Sequence, residues 1–427
     1  MNVVLLTLIV LLLCLFLKVP VFISILAGCV TYFAMNPNVA TLIIAQRVVA
    51  GTESIPLLAV PFFVAAGVYM NYSGVTSRIM DFCSVITGRM TGGLAQVNVL
   101  LSTLMGGLSG SNLADAAMEA KMLVPEMEKK GFSKEFSSVV TATSAMITPL
   151  IPPGIGMIIY ASVTNISVGK LFISGIGIGA LLCIALMVLV RFVSRKRGYE
   201  PLRTERVSGK ELFQSLKGAF LPLCLPIIII GGIRIGIFTP TEAGAVAIIY
   251  SLLLGICYKE LTLKNFFDGI KETVLTTGSI MLIVGAASAL SWIFTKEQIP
   301  QTLTGFMLAH ISNKYLFLII INVFLILVGM FVEGNAINII LGPLLAPIAA
   351  SYGIDPIQFG MIFIFNISIG SISPPMGTLM FVTCGITKCK LKAFIKEAVP
   401  FYLLLLLVLG LMTFVPVITT GLVTLFY

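Results

Sequence analysis

Apolar runs of bilayer length follow one another along almost the whole chain, and that pattern constrains the fold more than any motif. About twenty apolar residues cross a bilayer as a helix. Runs near that length fall at about 3–17, 19–35, 55–72, 135–165, 169–193, 216–237, 240–258, 272–293, 356–387 and 394–424, which predicts ten crossings. Only 11% of the 427 residues are charged and 58% are hydrophobic, where a soluble domain holds about a quarter charged residues. That balance excludes a soluble domain, a disordered chain and a disulfide scaffold. The eight cysteines, Cys14, Cys29, Cys83, Cys183, Cys224, Cys257, Cys384 and Cys389, lie mostly inside apolar runs without a C-x-x-C pair, and read as small buried hydrophobes. The run Met1–Leu17 has no basic residue before it; the first charge, Lys18, follows it, so it is expected to be a retained span and not a cleaved signal.

Two more apolar stretches, roughly 92–125 and 314–351, are interrupted at their middles. Gly106-Gly107-Leu108-Ser109-Gly110-Ser111-Asn112 breaks the first, and Val332-Glu333-Gly334-Asn335 the second. Half-length helices joined by a glycine-rich tip describe a re-entrant hairpin, tolerable at membrane depth only where it lines a protein-enclosed or wet cavity. The other reading is an ordinary span with a kinked middle. Pro125 and Glu126 are expected to close the first hairpin.

Basic residues orient the chain. With the amino terminus outside and both hairpins returning to their side of origin, all but five of the 27 Lys and Arg residues fall in the cytoplasm. The exceptions are Arg47, Lys170, Arg234, Lys296 and Lys314. The loop 191–217 is densely basic, from Arg191 to Lys217, and the net charge of +9 therefore reports topology instead of nucleic-acid binding.

A shift of 222 residues lays 107–173 on 329–395 without a gap, with eleven of 67 pairs identical. The informative identities are Gly107/Gly329, Pro125/Pro347, Gly131/Gly353, Pro152/Pro374 and Pro153/Pro375, which keep their spacing from hairpin tip to a Pro-Pro pair. Under the predicted topology one hairpin opens to each side, so the repeats are inverted, as in alternating-access transporters.

Each Pro-Pro pair, in Thr148-Pro149-Leu150-Ile151-Pro152-Pro153-Gly154 and in Ser371-Ile372-Ser373-Pro374-Pro375-Met376-Gly377-Thr378, stands midway along a long apolar stretch. Consecutive prolines break a helix and free carbonyls. Those carbonyls, with the hydroxyls of Ser109, Ser111, Thr148, Ser373 and Thr378, supply the oxygens a sodium ion needs, and the adjoining helix amino termini attract a substrate carboxylate. A kink that only shapes packing is the structural alternative. Asp115, four residues after Ser111, either helps hold a cation or caps the tip amides. Glu333 is a candidate coupling carboxylate or a rim residue. Asn335, Asn338 and Asn366 are amide ligands or interhelical glue. His310 and Trp292, each the sole residue of its kind, fit interfacial anchoring. Neither Gly169-Lys170 nor Gly209-Lys210 continues as a phosphate loop, and Gly175-Ile176-Gly177-Ile178-Gly179-Ala180 lies inside an apolar span where close helix packing explains it. No H-E-x-x-H occurs, which speaks against an intramembrane protease.

The block Gly106–Ala116, with Val124-Pro125-Glu126-Met127, Pro149-Leu150-Ile151-Pro152-Pro153, Leu171-Phe172 and Gly236-Ile237-Phe238-Thr239-Pro240-Thr241-Glu242-Ala243, resembles the large membrane subunit of tripartite ATP-independent periplasmic (TRAP) transporters. Asp355-Pro356, Phe359-Gly360, Asn366, Ile369-Gly370 and Pro374-Pro375 extend the resemblance through the second half. Ser111-Asn112 and Met376 depart from residues common in that family, at the pocket. The resemblance implies an all-α polytopic membrane protein, about ten spans plus two re-entrant hairpins in inverted repeats, working as an elevator-type, ion transporter-like carrier. It implies no enzyme and no cofactor, but a sodium-coupled importer of organic acids such as C4-dicarboxylates, sialic acids or other sugar acids. The implied partners are a periplasmic substrate-binding protein and a small four-helix membrane subunit, expected as a separate chain, in the bacterial inner membrane with the amino terminus periplasmic. The expected division is scaffold spans (1–91), first repeat core (92–193), basic cytoplasmic loop (194–217), scaffold spans and connecting arms (218–313) and second repeat core (314–427). A stand-alone cation-coupled anion symporter and an intramembrane enzyme are the competing readings.

Overall fold

The computed structural model describes residues 3–17, 19–53 and 55–427; Met1 and Lys18, which bear on the amino-terminal run, lie outside the described residues. Among the described residues every regular element is a helix. The first group is α1 (Val3–Phe16), α2 (Val21–Met35), α3 (Leu42–Thr52), α4 (Ala59–Tyr72) and α5 (Val75–Thr87). Then come the first hairpin, α6 (Gly93–Ser109) and α7 (Asn112–Lys129), the broken pair α8 (Lys134–Ser144) and α9 (Ile155–Thr164), and the long α10 (Val168–Arg197). The next group is α11 (Gly209–Ile235), α12 (Pro240–Cys257), α13 (Leu263–Lys296) and α14 (Ile299–His310). The chain closes with α15 (Lys314–Gly329), α16 (Gly334–Ser351), α17 (Pro356–Ile372), α18 (Thr378–Thr387), α19 (Leu391–Phe414) and α20 (Val417–Phe426).

Six of these, α10, α11, α12, α13, α16 and α19, are long and apolar enough to cross a membrane singly, and the α8/α9 pair, bent by 42°, makes a seventh candidate. The multi-pass character expected from the apolar runs is therefore present. The details differ in several places. Helix α7 does not stop at Pro125 but runs to Lys129. Pro125 lies on the exposed face of α7, so the carbonyl it leaves unpaired one turn back points away from the core and the helix tolerates the lost bond. The basic stretch 194–217 is mostly helix: α10 continues to Arg197, where left-handed Gly198 (φ 70°) ends it, and α11 starts at Gly209 behind the Ser208 cap. Helices α3, α5 and α14 fill segments read as connections, and Pro416 separates α19 from α20 inside the expected last span.

Ordinary capping chemistry sets many boundaries. Ser111, Ser133, Ser167, Thr262 and Asp355 each accept a backbone N–H at the start of a helix. Thr239 and Glu242 form a reciprocal capping box at the start of α12. The backbone N–H and the hydroxyl of Thr239 both donate to the Glu242 carboxylate, at 2.7 and 2.8 Å.

The repeat survives in three dimensions. Both ends of α16 lie 222 residues beyond those of α7, and Gly131 and Gly353 follow these helices in left-handed conformations. The peptide bonds Pro152–Pro153 and Pro374–Pro375, also 222 apart, are both cis. Contacts are exchanged reciprocally: α7 packs on α18 while α16 packs on α9, and α8 packs on α19 while α17 packs on α10. Such swapped pairing is what a two-fold relation between halves produces. At the centre, Phe136–Ser144 of α8 and every residue from Ile357 to Ile372 of α17 are buried, as expected of helices surrounded on all sides. Around this core, α2, α3 and α4 pack on α13, α4 packs on α12, and α5 packs on α11.

Candidate functional site

Four helices begin at one place. Asn112 opens α7, Ile155 opens α9, Gly334 opens α16 and Thr378 opens α18, and all four residues line a single cavity of about 90 Å³. Two of these helices follow hairpin tips and two follow Pro-Pro breaks. Each amino terminus carries backbone N–H groups without intrahelical partners and the positive end of a helix dipole. Four converging ends form an anion-attracting site built from backbone.

The tips are capped by side chains. The Ser111 hydroxyl accepts from the Ala114 N–H at 3.4 Å, and the Glu333 carboxylate accepts from the Ala336 N–H at 3.2 Å. Positions 111 and 333 are repeat-related, so the two halves perform one task with different chemistry. The broken helices α9 and α18 start instead at Gly154 and Gly377, with no side-chain cap. A Cβ on Gly154 would sit 2.5 Å from the Pro149 carbonyl oxygen, and one on Gly377 would sit 2.6 Å from that of Ser371; both links fold back too tightly for a larger residue.

Of the residues expected at the site, the cavity wall carries Gly110, Ser111, Asn112, Pro149, Glu333, Gly334, Asn335 and Thr378. Gly110 has φ 63°, and a Cβ there would approach the Pro153 carbonyl oxygen to 2.6 Å, so the tip presses directly on the break. Behind the wall, Asp115 is 1% exposed and accepts from the Thr148 hydroxyl at 2.7 Å. It ties α7 to the unwound link, while the capping role falls to Ser111. Ser109 accepts from the Ser111 N–H at 3.4 Å. Gly107 packs against Pro226 of α11. Pro152 and Pro153 lie in the link between α8 and α9, set back from the cavity lining.

In the second half, the Ser373 hydroxyl donates to the Ile369 carbonyl at 2.7 Å. Pro374 is half-buried and Pro375 exposed, neither on the wall. Asn366 stands apart from the cavity: its amide donates to the Asn322 side chain at 2.9 Å and to the Ile362 carbonyl at 2.8 Å, and Asn322 donates to Thr413 at 2.9 Å. This relay joins α17, α15 and α19, the glue role considered for it.

Asn338, Ser368 and Ser371 complete the wall with Leu113, Gly156, Ile364 and Ile367. The Asn338 amide donates to the Gly156 carbonyl at 3.4 Å, linking α16 to α9. Ile364, Ile367, Ser368 and Ser371 follow helical spacing on α17, a pattern legible in the sequence only once that face is known to border the cavity. Glu119 escaped notice too. It is fully buried one turn from Asp115, with its carboxyl oxygens 2.8 and 2.7 Å from the Ser102 hydroxyl, which pins α7 to α6. Among the described residues the wall holds one carboxylate, Glu333, and no Lys or Arg. Among the described residues no group of three His, Cys, Asp or Glu is placed to hold a metal ion, so a cation here would be held by carbonyls, hydroxyls and Glu333.

The fold resembles two solved transporters: YdaH of Alcanivorax borkumensis (TM-score 0.63, 14% identity, 86% of each chain) and MtrF of Neisseria gonorrhoeae (TM-score 0.53, 13% identity, 86% of this chain and 82% of that one). Sequence relatives are nearer. The sialic acid TRAP transporter large permease SiaM of Vibrio cholerae is 40% identical over 96% of both chains. The C4-dicarboxylate large permease DctM of Pseudomonas aeruginosa is 36% identical over 93% of this chain and 92% of that one, and the 2,3-diketo-L-gulonate large permease YiaN of Escherichia coli is 36% identical over 88% of each. Residues 8–418 match the family described as the tripartite ATP-independent periplasmic transporter, DctM component. A polytopic helical chain with repeat-related halves, matched to that family over nearly its whole length, belongs to the large permeases of TRAP transporters, a family of transporters and not of enzymes.

Proposed function

We propose that this chain is the translocating subunit of a sodium-coupled importer of small organic acids in a bacterial inner membrane. The observation that carries this reading is the convergence of four helix amino termini on one cavity. They offer an organic carboxylate several N–H donors without a basic side chain. The hydroxyls of Ser111, Ser371 and Thr378, the carbonyls of the unwound links and Glu333 offer a sodium ion oxygen ligands beside it. Sodium and carboxylate then stabilise each other's binding, which is the physical basis of coupling.

The reciprocal packing of the halves supports alternating access: two arrangements related by exchange of the halves have similar energies. In the proposed elevator, α6–α10 and α15–α20 move together against α1–α5 and α11–α14. Contacts at the helix ends sort onto two sides as the proposed topology requires. Arg197 pairs with Glu397, both assigned to the cytoplasm, while Lys170 and Arg234 lie over Tyr427 and Phe426, all assigned outside. A periplasmic binding protein would deliver substrate, and a small membrane subunit would brace the lipid-facing scaffold. Relatives named for sialic acid, C4-dicarboxylates and 2,3-diketo-L-gulonate support a cargo among the organic acids.

Uptake by proteoliposomes holding this chain with its small subunit and binding protein tests the reading. Replacing external sodium by choline is expected to abolish accumulation of the acid. Undiminished accumulation in choline overturns sodium coupling, and accumulation without any binding protein favours a stand-alone symporter.

A further inference from the structure

A second, larger cavity of about 500 Å³ opens between the surrounding helices and the core. Its outer wall is α3 and α13, with Arg47 and Gly51 on the first and Ser288, Ser291 and Trp292 on the second; its inner wall is α9 and α16. The inner wall uses two of the helices whose first residues border the four-terminus cavity. Ile155 and Gly156 of α9 face that cavity and Ser162 the larger one; Asn338 of α16 faces the first and Ile339 the second. One helical step separates the two chambers on α16.

Among the described residues the larger chamber carries a positive charge on its wall, Arg47, and the smaller one does not. The Arg47 guanidinium lies 6.0 Å from the centre of the Trp292 ring and the Lys296 ammonium 5.4 Å from it. Phe33 stacks on Trp292 at 5.7 Å and fixes the ring. Among the described residues neither cation has a carboxylate within ion-pair distance. The neighbouring carboxylate, Glu297, is held by the Tyr32 hydroxyl. Arg47 stands on the chamber wall, where its guanidinium can receive an oxyanion in bidentate geometry. Ser288 and Ser291, one turn apart on α13, both line the chamber, with the Ser288 hydroxyl beside Gly51 of α3.

The geometry points to this chamber as a substrate vestibule: an organic acid binds first with its carboxylate at Arg47 and its hydroxyl or carbonyl groups on the α13 serines, then passes to the four helix amino termini. The inference rests on the proposed transport of organic acids and adds a site on the path. Phospholipid headgroups offer the same oxyanion chemistry, so the test separates the two sources.

The complex is reconstituted with Ser291→Cys in a chain whose native cysteines are replaced by alanine, and labelled with a charged methanethiosulfonate. N-acetylneuraminate or succinate is expected to slow labelling, at fixed lipid composition. In the otherwise native complex, Arg47→Gln is expected to raise the loaded-binding-protein concentration for half-maximal uptake about tenfold with the maximal rate retained, and Arg47→Lys to restore part of it. Wild-type uptake combined with unprotected labelling and an unshifted Arg47→Gln half-saturation overturns the vestibule and leaves the transport reading standing. Protection that follows the anionic phospholipid content and not the acid assigns the chamber to headgroups and also overturns it. No uptake of either acid by the wild-type complex overturns the transport reading, and the vestibule with it.

Discussion

Gly110 shows how much one residue decides. Its backbone is left-handed, and a methyl group added to it would stand 2.6 Å from the Pro153 carbonyl oxygen, so no side chain fits. Gly110→Ala is expected to destabilise the tip by about 1–3 kcal/mol and to cut uptake sharply while the protein still inserts; wild-type uptake would show that the tip need not press on the break. Asn366 illustrates the opposite case. Asn366→Ala leaves Asn322 without its amide donor, at a cost of about 1–3 kcal/mol, so the melting temperature of the purified protein should fall. Uptake per folded molecule should be unchanged, because the relay lies away from the cavity. The sequence offered both roles for this amide. Sodium and substrate ligands look the same as interhelical glue when only residue type is known, and position alone distinguishes them.

At the scale of elements, the Pro-Pro breaks do the work that the hairpin tips complete. Each supplies an amino terminus in the middle of the fold, and each such end lies beside a tip from α6–α7 or α15–α16. Pro153→Ala and Pro375→Ala are each expected to abolish transport with insertion intact, since regaining helix hydrogen bonds withdraws an amino terminus from the cavity; wild-type uptake in both would remove the breaks from the mechanism. Both breaks were legible, because two consecutive prolines inside an apolar stretch interrupt a helix whatever packs around them. The extents of α7 and α10 were not, since a proline or a basic run ends a helix only where its backbone groups lack another outlet. Helix α3 was also hidden, being too short for the length argument that found the spans.

For the whole molecule, the proposed motion separates surfaces that touch in this structure. Phe16 of α1 lies against Phe331, at the tip between α15 and α16, with ring centres 6.1 Å apart. A disulfide between cysteines at these two positions, in the cysteine-free chain, is expected to stop uptake reversibly with reductant. Full uptake by the cross-linked protein would exclude movement of that hairpin against α1.

The sequence by itself determined the membrane class, the repeat and the residues at which helices break. Each follows from local physics: apolar length, the geometry of proline and glycine, and a spacing that needs no partner to be seen. Only the tertiary structure decided which polar groups share a cavity, that Ser111 and Glu333 cap repeat-related helices, and that Arg47 and Lys296 meet on Trp292 although 249 positions separate them in the chain. Those outcomes depend on how helices distant in sequence pack, and a single chain's residue pattern does not encode that in any short-range signal.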